Sequence, residues 1–248
     1  MEHTDADSNA YNDADQVALY DRINAGRWDI DHYLAVADRL GSVDVVDIGC
    51  GTGVLAVDLA TRGHRATGID PADEMLAAAR SRPGGDAVSW LAGDATALPE
   101  ASFDLAVMTG HVAQVFQTDD AWMETITAIH RALRPGGRLA FESRNPTAQA
   151  WLGWNSVDSR TILEVNGRRV QSWHEVTSVR GDLVTFDSHN LTDDGQDQVF
   201  TDCLRFPSAD RLTASLGNAG FDIEQLCGDW NGGPVDDTVA ELIYLARR

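Results

Sequence analysis

A glycine-rich turn that follows a largely apolar run is the stretch of this chain best suited to binding a small ligand. Gly49, Gly51 and Gly53 come directly after the run 45–48, which predicts a buried strand, and a helix is expected to begin near Val54. Glycine has no Cβ atom, so such a turn can adopt positive φ angles and a ligand can lie against its main chain. The spacing therefore predicts a ligand-binding turn between a strand and a helix.

Three aspartates lie in or directly after the first three predicted strands. Asp47 lies inside the strand that precedes the glycine turn, and Asp70 ends a second predicted strand over 64–70. An acid at the end of the second strand can accept hydrogen bonds from both hydroxyls of a ribose. Asp94 follows a third predicted strand over 88–92, where a carboxylate can accept from the exocyclic amine of adenine. These positions predict a nucleoside-containing ligand spread along successive strand ends.

The elements that position these residues alternate between strands and helices. Five such units in chain order indicate an α/β fold with a parallel, doubly wound sheet. The apolar spacing in 17–40 predicts two helices separated near Gly26. Besides the three strands above, the core is predicted to contain a helix over 54–62, a helix beginning at Pro71, a strand over 103–109, a helix over 119–133, a sharp turn over 134–137 and a strand over 138–143.

The pattern changes at Asn145 to the alternation of antiparallel strands. Strands are predicted over 161–165, 169–179, 183–191 and 198–206, with turns at Asn166-Gly167, Gly181 and 193–195. A helix over 208–219 and strands over 221–227 and 241–246 then close the sheet. We therefore expect lid helices and a ligand-binding core in 1–144, an antiparallel β insertion that covers the substrate in 145–206, and the closing elements in 207–248.

Charge and composition restrict the classes of partner. The 248 residues carry a net charge of −20, with 30 Asp, 9 Glu and no Lys among the basic residues. Such a surface repels phosphate backbones and anionic membranes, so neither a nucleic acid nor a membrane is an expected partner. A coding bias and a salt-adapted host both remain explanations of this acidity. A hydrophobic content of 43% is enough for a complete core.

Localisation and metal binding follow from the same inspection. No apolar run approaches the ~18 residues of a membrane span and no leader pattern opens the chain, so we expect a soluble, cytoplasmic protein. The three cysteines, Cys50, Cys203 and Cys227, are odd in number and widely scattered. They fit neither a zinc spacing nor a disulfide framework, and no metal site is predicted.

The ordered motifs resemble those of class I S-adenosylmethionine (AdoMet) methyltransferases. The resemblance rests on three motifs: the GxGxG turn 49–53 with the acid that precedes it, the string GDATAL at 93–98 and the string LRPGGRL at 133–139. A dinucleotide fold has the spacing GxGxxG instead. The resemblance implies a Rossmann-like, seven-stranded sheet that ends in an antiparallel hairpin. The lid and the β insertion are similar to those of glycine N-methyltransferase-type and other small-molecule enzymes.

The resemblance also implies a site for AdoMet, with S-adenosylhomocysteine (AdoHcy) as product. In the lid, Tyr20 and Arg27 resemble a pair in which the Arg holds the AdoMet carboxylate, although an ordinary surface Arg fits the sequence equally well. The other implied cofactor residues are Asp47, Gly49, Cys50 and Gly51 at the methionine moiety, Asp70 at the ribose with Pro71 and Met75 beyond it, Asp94 and Ala95 at the adenine, and Met108 and Gln114 after the fourth strand.

The acceptor side is less defined by the sequence. Gly110 and His111 stand where glycine-type enzymes have a small polar pair that binds substrate, and this departure puts an amino-acid acceptor in doubt. His111 is the candidate general base, and a role in orienting the substrate is equally open. Trp173, His174 and Glu175 in the insertion could reach the same cleft, and Trp173 is the candidate acceptor contact. Alternation sends Trp173 and Glu175 to one face and His174 to the other, so not all three can contribute.

Three alternatives stay open beside an AdoMet-dependent transfer of methyl to a nitrogen or oxygen atom of a small molecule. A non-catalytic protein that binds AdoMet or AdoHcy would keep the same three aspartates. A protein methyltransferase would share the core, and an NAD-dependent oxidoreductase would share the acid at Asp70. The identity of the acceptor cannot be read from the chain.

Overall fold

The computed structural model describes residues 10–165 and 167–248. Residues 1–9 and Asn166 lie outside the described residues, and with them the turn predicted at Asn166-Gly167. Within the described ranges, no helix is long and apolar enough to cross a membrane.

Six α-helices and eleven strands form the described structure. The helices are α1 (Ala14–Ile23), α2 (Trp28–Leu40), α3 (Val54–Thr61), α4 (Asp73–Ser81), α5 (Asp119–Ala132) and α6 (Ala209–Asn218). The strands are β1 (Asp44–Ile48), β2 (Arg65–Asp70), β3 (Ser89–Ala92), β4 (Phe103–Met108), β5 (Leu133–Arg144), β6 (Thr161–Val165), β7 (Arg168–Arg180), β8 (Leu183–Thr192), β9 (Asp197–Arg205), β10 (Asp222–Cys227) and β11 (Glu241–Arg247).

Local chemistry explains where several helices begin and end. The Asp13 carboxylate accepts hydrogen bonds from the backbone amides of Asp15 and Gln16 at the start of α1. Gly41 ends α2 in the left-handed conformation at φ 61°, where glycine has no steric cost. The α4 helix begins at Asp73, two residues later than the predicted start at Pro71.

Seven strands form one sheet in the order β10-β11-β5-β4-β1-β2-β3. The strands from β3 to β5 pair in parallel, whereas β11 pairs antiparallel with both β5 and β10. This is the Rossmann-like sheet with a closing antiparallel hairpin that the sequence predicted. One apolar layer joins this sheet to α5 and α6, and a second joins its other face to α2 and α3. The carboxyl ends of five parallel strands are thereby fixed at one edge.

The predicted turn over 134–137 is wrong. The strand β5 begins at Leu133, five residues before the prediction, and its pairing with β4 is irregular between Phe103 and Leu105. Gly136 has φ 82°, and its amide donates to the carbonyl of Arg248. Gly136 and Gly137 therefore lie in an irregular part of β5 and not in a free turn. Arg248 exchanges backbone hydrogen bonds with both glycines and so holds this segment in the sheet.

The strands β6, β7, β8 and β9 form a separate four-stranded antiparallel meander, which we call the insertion sheet. The helices α1 and α2 together are called the lid, and α1 lies beside the insertion sheet. The Gln16 side chain of α1 donates to Gln198 at 2.8 Å and accepts from Asn190 at 2.6 Å. The lid and the insertion sheet are thus joined by buried amide hydrogen bonds, which hold both over the edge of the main sheet.

Candidate active site

Three adjoining cavities form one cleft at the carboxyl ends of the parallel strands. The glycine cavity, of about 300 Å³, lies between the glycine turn 49–53 and the lid. The edge cavity, of about 320 Å³, runs past the end of β2 to residues 93–95. The insertion cavity, of about 220 Å³, lies under the insertion sheet. Tyr20 and Gly110 line all three, so one elongated ligand or two adjacent ligands can occupy the cleft.

The glycine turn leaves its main chain open to the cleft. Gly49, Gly51 and Gly53 have φ angles of 68°, 53° and 78°, a region that side-chain-bearing residues rarely adopt. A Cβ atom built on Gly51 would meet nothing closer than 3.9 Å, where Met75 and Tyr20 lie. The space beside this glycine is therefore available to a ligand.

Asp70 fixes the shape of that turn and also faces the edge cavity. Its Oδ2 accepts from the Gly51 amide at 2.9 Å, and its Oδ1 accepts from the Ala72 amide at 2.8 Å. Burial raises the pKa of Asp70, while these two amides oppose the shift. A carboxylate has about four acceptor positions, so lone pairs remain for two ligand hydroxyls.

The edge cavity brings together four more of the predicted residues. Pro71, Met75, Asp94 and Ala95 all line it. The Asp94 carboxylate caps a short 3₁₀ turn by accepting from the Thr96 amide at 2.8 Å. This end of the cleft combines an acid with apolar walls, which suits a flat heterocycle with an exocyclic amine.

Asp47 is the most unusual charge in the cleft. Its side chain is buried, it lines the glycine cavity, and neither carboxylate oxygen has a partner in hydrogen-bond geometry in the described part of the chain, although the Ala56 amide lies near enough to act on its charge. Burial, together with the charges of Asp70 and Glu142, raises its pKa well above the usual range, and the Ala56 amide opposes this only in part. A buried carboxylate without a partner is costly, so this oxygen pair is suited to a cationic ligand group.

Arg27 does not line the cleft, which contradicts its predicted contact with a cofactor carboxylate. Its guanidinium pairs with Asp58 at 2.6 Å and with Asp31 at 3.4 Å, and half of the side chain is exposed. The two acids lie on α2 and α3, on the outside of the lid. The structure therefore places Arg27 in a surface ion-pair cluster, the second of the two readings that the sequence allowed.

Two other predicted cofactor residues also lie away from the cleft. Met108 is completely buried in the apolar layer between the sheet and α5. Gln114 is buried as well, and its amide donates to the Arg205 carbonyl at 2.7 Å. Neither side chain lines the cleft, because Met108 of β4 points into the apolar layer and Gln114 is held by the Arg205 carbonyl. Cys50 does line the glycine cavity, although its buried sulfur packs towards Gly68.

Arg144, which the sequence analysis missed, supplies a positive charge inside the cleft. It ends β5 and lines both the glycine cavity and the insertion cavity. Its Nη1 donates to Gln114 Oε1 at 3.0 Å, its guanidinium lies 5.4 Å from the Trp154 ring centre, and no carboxylate of the described residues is within ion-pair distance. Burial lowers its pKa. Arg144 could have been found from the sequence, because it ends the strand that follows β4 and ligands bind at the carboxyl ends of parallel strands.

His111 stands at the junction of the glycine and insertion cavities. It has φ 64°, an uncommon conformation for a residue with a side chain. Its backbone amide donates to Glu142 Oε1 at 2.6 Å, and its ring Nε2 lies 3.0 Å from Glu241 Oε2. The Glu241 carboxylate thus places the donated proton on Nε2, and the lone pair is left on Nδ1.

Glu142 links this histidine to the lid. It is fully buried, and its other carboxylate oxygen accepts from the Tyr33 hydroxyl of α2. Burial raises the pKa of Glu142, while His111 and the Tyr33 hydroxyl oppose that shift. The backbone of His111 is therefore held by a carboxylate that also anchors a lid helix.

The insertion cavity is lined by alternate residues of three strands of the insertion sheet. Ser172 and His174 come from β7, with further contacts from β8 and β9. Trp173 does not line it, which corrects the predicted acceptor contact. Its ring stacks on His189 at 4.6 Å, and Arg160 covers it at 4.1 Å. The strand alternation gives the reason, since neighbouring residues point to opposite faces and His174 takes the face towards the cavity.

Comparison with known proteins agrees with this geometry. A family profile described as a methyltransferase domain matches residues 45–137. A putative methyltransferase of Geobacillus sp. (strain WCH70) is 24% identical over 226 residues, which cover 85% of this chain and 86% of that protein. The profile covers the glycine turn and both acids of the edge cavity.

Solved structures share the fold over almost the whole chain. An S-adenosylmethionine-dependent methyltransferase from Clostridium acetobutylicum has a TM-score of 0.76 at 19% identity, covering 96% of this chain and 99% of that one. A SAM-bound amino pentose methyltransferase from Micromonospora echinaspora has a TM-score of 0.70 at 22% identity, and each chain is covered completely. Fold and sequence profile together define a class I AdoMet-dependent methyltransferase. The chain is accordingly an enzyme that uses AdoMet as methyl donor.

The residues present fit this cofactor. Its methionine part carries an ammonium and a carboxylate, and the glycine cavity contains the unpartnered Asp47 carboxylate and the Arg144 guanidinium. The bare main chain at Gly51 leaves room beside them. Asp70 and Asp94 follow in the edge cavity, in the order required for a ribose and an adenine.

The Asp47→Asn variant should be more stable than the unaltered protein and should bind the cofactor more weakly. Since the folded-state pKa of Asp47 is raised, the loss of its proton lowers the stability of the free protein as the pH rises above about 4, and this penalty grows until the pH reaches the folded-state pKa. We expect Asn to raise the melting temperature of the free protein by at least about 2–4 °C, near 1 kcal/mol, and to weaken AdoHcy binding at least about tenfold. Thermal melts at neutral and acid pH and calorimetry measure both effects.

Asp104→Asn serves as the control, since Asp104 lies away from the cleft and its carboxylate is already paired with Arg134. It should leave AdoHcy affinity unchanged. An Asp47→Asn variant that binds AdoHcy as tightly as the unaltered protein would contradict the role given to Asp47.

Proposed function

We propose that this enzyme transfers the methyl group of AdoMet to a nitrogen or oxygen atom of a small polar acceptor in the insertion cavity. The observation that carries this assignment is the continuity of two differently built cavities at Gly110 and His111. One side offers a glycine turn with opposite charges, and the other offers hydroxyl, amide and aromatic side chains. An acidic surface also supports a small acceptor over a nucleic acid.

The cofactor would be held along the first two cavities. Asp47 would accept from its ammonium, Asp70 from the ribose and Asp94 from the adenine amine, with Ala95 and Met75 against the ring. Arg144 would bind the carboxylate in place of Arg27. When bound, AdoMet supplies an electrophilic methyl group on a positively charged sulfur. The protein's own task is to position the acceptor and to exclude water.

Arg144 is suited to the carboxylate for two reasons. A guanidinium has five N–H donors, and the side-chain contacts of Arg144 in the described structure use one acceptor, Gln114. A carboxylate would engage two of these donors side by side. Asp47 lines the same cavity, so the two opposite charges would meet the two ends of one amino-acid group.

The reaction needs an acceptor atom with a free lone pair. That atom would form a bond to the methyl carbon as the sulfur–methyl bond broke, and the bonding pair would stay on sulfur. The acceptor's proton passes to Nδ1 of His111. Glu241 stabilises the resulting imidazolium through Nε2, in the way that a carboxylate orients a catalytic histidine.

The His111–Glu241 pair also favours catalysis over cofactor binding alone. A protein that only bound AdoMet would have no need for a histidine held at a positive φ angle between the two cavities. Such backbone strain persists where the surroundings enforce it, here through Glu142 and the lid, and it concentrates at functional sites.

Arg144→Met should remove the preference for the amino-acid part of the cofactor. We expect AdoHcy affinity to fall at least about tenfold, the loss of one charge-assisted contact of ~1.5–3 kcal/mol. Binding of 5′-methylthioadenosine, which lacks the amino-acid part, should stay nearly unchanged because its contacts lie in the edge cavity. Calorimetry with both ligands measures the difference.

Arg27→Met is the matched control, since Arg27 is paired on the surface and should affect neither ligand. The assignment fails if Arg27→Met, and not Arg144→Met, weakens AdoHcy. It also fails if Arg144→Met weakens both ligands equally, because a general disturbance of the cleft would then explain the loss.

His111→Asn should preserve the fold and stop the chemistry. Asn tolerates the left-handed conformation better than most residues, so AdoHcy affinity should stay close to that of the unaltered protein. Methyl transfer from labelled AdoMet to small metabolites of the source organism should fall by ~10²–10⁴, the usual contribution of a general base.

Glu241→Gln should lower the rate less than His111→Asn and shift its pH dependence, because the imidazolium loses its anionic partner. His174→Asn, which changes a cavity histidine bound to the Ser188 hydroxyl, provides the control and should have a smaller effect than His111→Asn. A His111→Asn enzyme with near-normal turnover would overturn the role of His111 as the base.

A further inference from the structure

Asp202 is a charged residue of the insertion cavity that the proposed chemistry does not use. It lies in β9 on the same face as Phe200 and Leu204, directly opposite Phe186 of β8. All four side chains line the cavity. The carboxylate therefore faces the space assigned to the acceptor, at the wall formed by the insertion sheet.

The Asp202 carboxylate lacks a partner within the described structure. It forms neither a hydrogen bond nor an ion pair with any described residue, and burial raises its pKa. Tyr11 lines the same cavity, and the charge of Asp202 is one of the causes that raise the pKa of Tyr11. Acids on the opposite face of this sheet are satisfied, since Asp187 accepts from Thr201 at 2.6 Å and Asp197 lies 2.9 Å from His189. A half-enclosed carboxylate left without a partner is a cost that a bound ligand can offset.

Aromatic side chains surround the same space. Trp154 and Phe186 have ring centres 4.7 Å apart, and the buried Phe200 lines the same cavity. Aromatic faces attract cations and do not satisfy anions. Arg144 also lines the cavity but is not within ion-pair distance of Asp202. The cavity's own cation thus leaves the carboxylate uncompensated.

We propose that the acceptor carries a basic amine, whose ammonium form binds Asp202 among the rings of Trp154, Phe186 and Phe200. This inference rests on the proposed function and narrows its acceptor to one chemical class. A neutral alcohol would donate a hydrogen bond to Asp202 but leave its negative charge uncompensated. An ammonium supplies both a hydrogen bond and a positive charge. An anionic acceptor would be repelled by the same carboxylate.

The test sorts acceptors by charge. Small metabolites of the source organism are separated on a cation exchanger at acid pH into a retained fraction, which contains amines, and a flow-through. Each fraction is incubated with the enzyme and AdoMet that carries a radiolabelled methyl group. The Asp202→Asn variant is compared with Asp187→Asn, a matched control on the opposite face of the same sheet.

We expect the labelled product to form from the retained fraction and to remain cationic. At limiting acceptor, Asp202→Asn should lower the rate at least tenfold, while AdoHcy affinity and melting temperature show that the variant is folded. Asp187→Asn should behave as the unaltered enzyme.

Other outcomes distinguish a failure of the amine inference from a failure of the proposed methyl transfer. Product formed only from the flow-through would overturn the amine and leave the proposed function intact. An Asp202→Asn enzyme with unchanged rate on the retained fraction would overturn the role of Asp202. Absence of label from every fraction, with AdoMet bound, would overturn the proposed function and this inference with it.

Discussion

Unpaired charge held inside the cleft is the constraint on which the rest of this structure depends. Asp47 is buried without a hydrogen-bond partner in the described chain, and Arg144 is half-buried without a carboxylate partner among the described residues. Each lowers the stability of the free protein, because a charge removed from water needs compensation. The two apolar layers on the main sheet provide the stability that offsets this cost. A rigid sheet edge then keeps the opposite charges apart until a ligand lies between them.

The same edge connects the lid to the reacting centre. Glu142 of β5 accepts from the His111 amide on one side and from the Tyr33 hydroxyl of the lid on the other. The lid also bonds to the insertion sheet through Gln16 and Asn190. The walls of the cofactor and acceptor cavities therefore belong to one hydrogen-bonded assembly. This arrangement gives a physical reason why His111 keeps its strained conformation.

The sequence was sufficient for most of the fold, and it singled out several of the residues that line the cleft. Strand alternation and helical spacing placed nearly every element, because those patterns report burial, which is what the sheet requires. The turn over 134–137 was missed because the hydrogen bonds that make it part of β5 come from the far end of the chain. Asp47 of β1 and Asp70 of β2 do line the cleft, while their roles towards the cofactor stay predictions.

Side chains whose direction depends on packing were not predictable in the same way. Arg27 turns outward because Asp58 of α3 lies within reach, a contact between elements that no local pattern encodes. Gln114 turns inward to bind the Arg205 carbonyl and Arg144, which also explains why Arg144 points along the cleft. A crystal structure of the AdoHcy complex measures the central claim most directly. The account predicts the ligand ammonium within hydrogen-bond distance of Asp47 and its carboxylate paired with Arg144. A bound AdoHcy that leaves Asp47 unpartnered and Arg144 bonded only to Gln114 would contradict it.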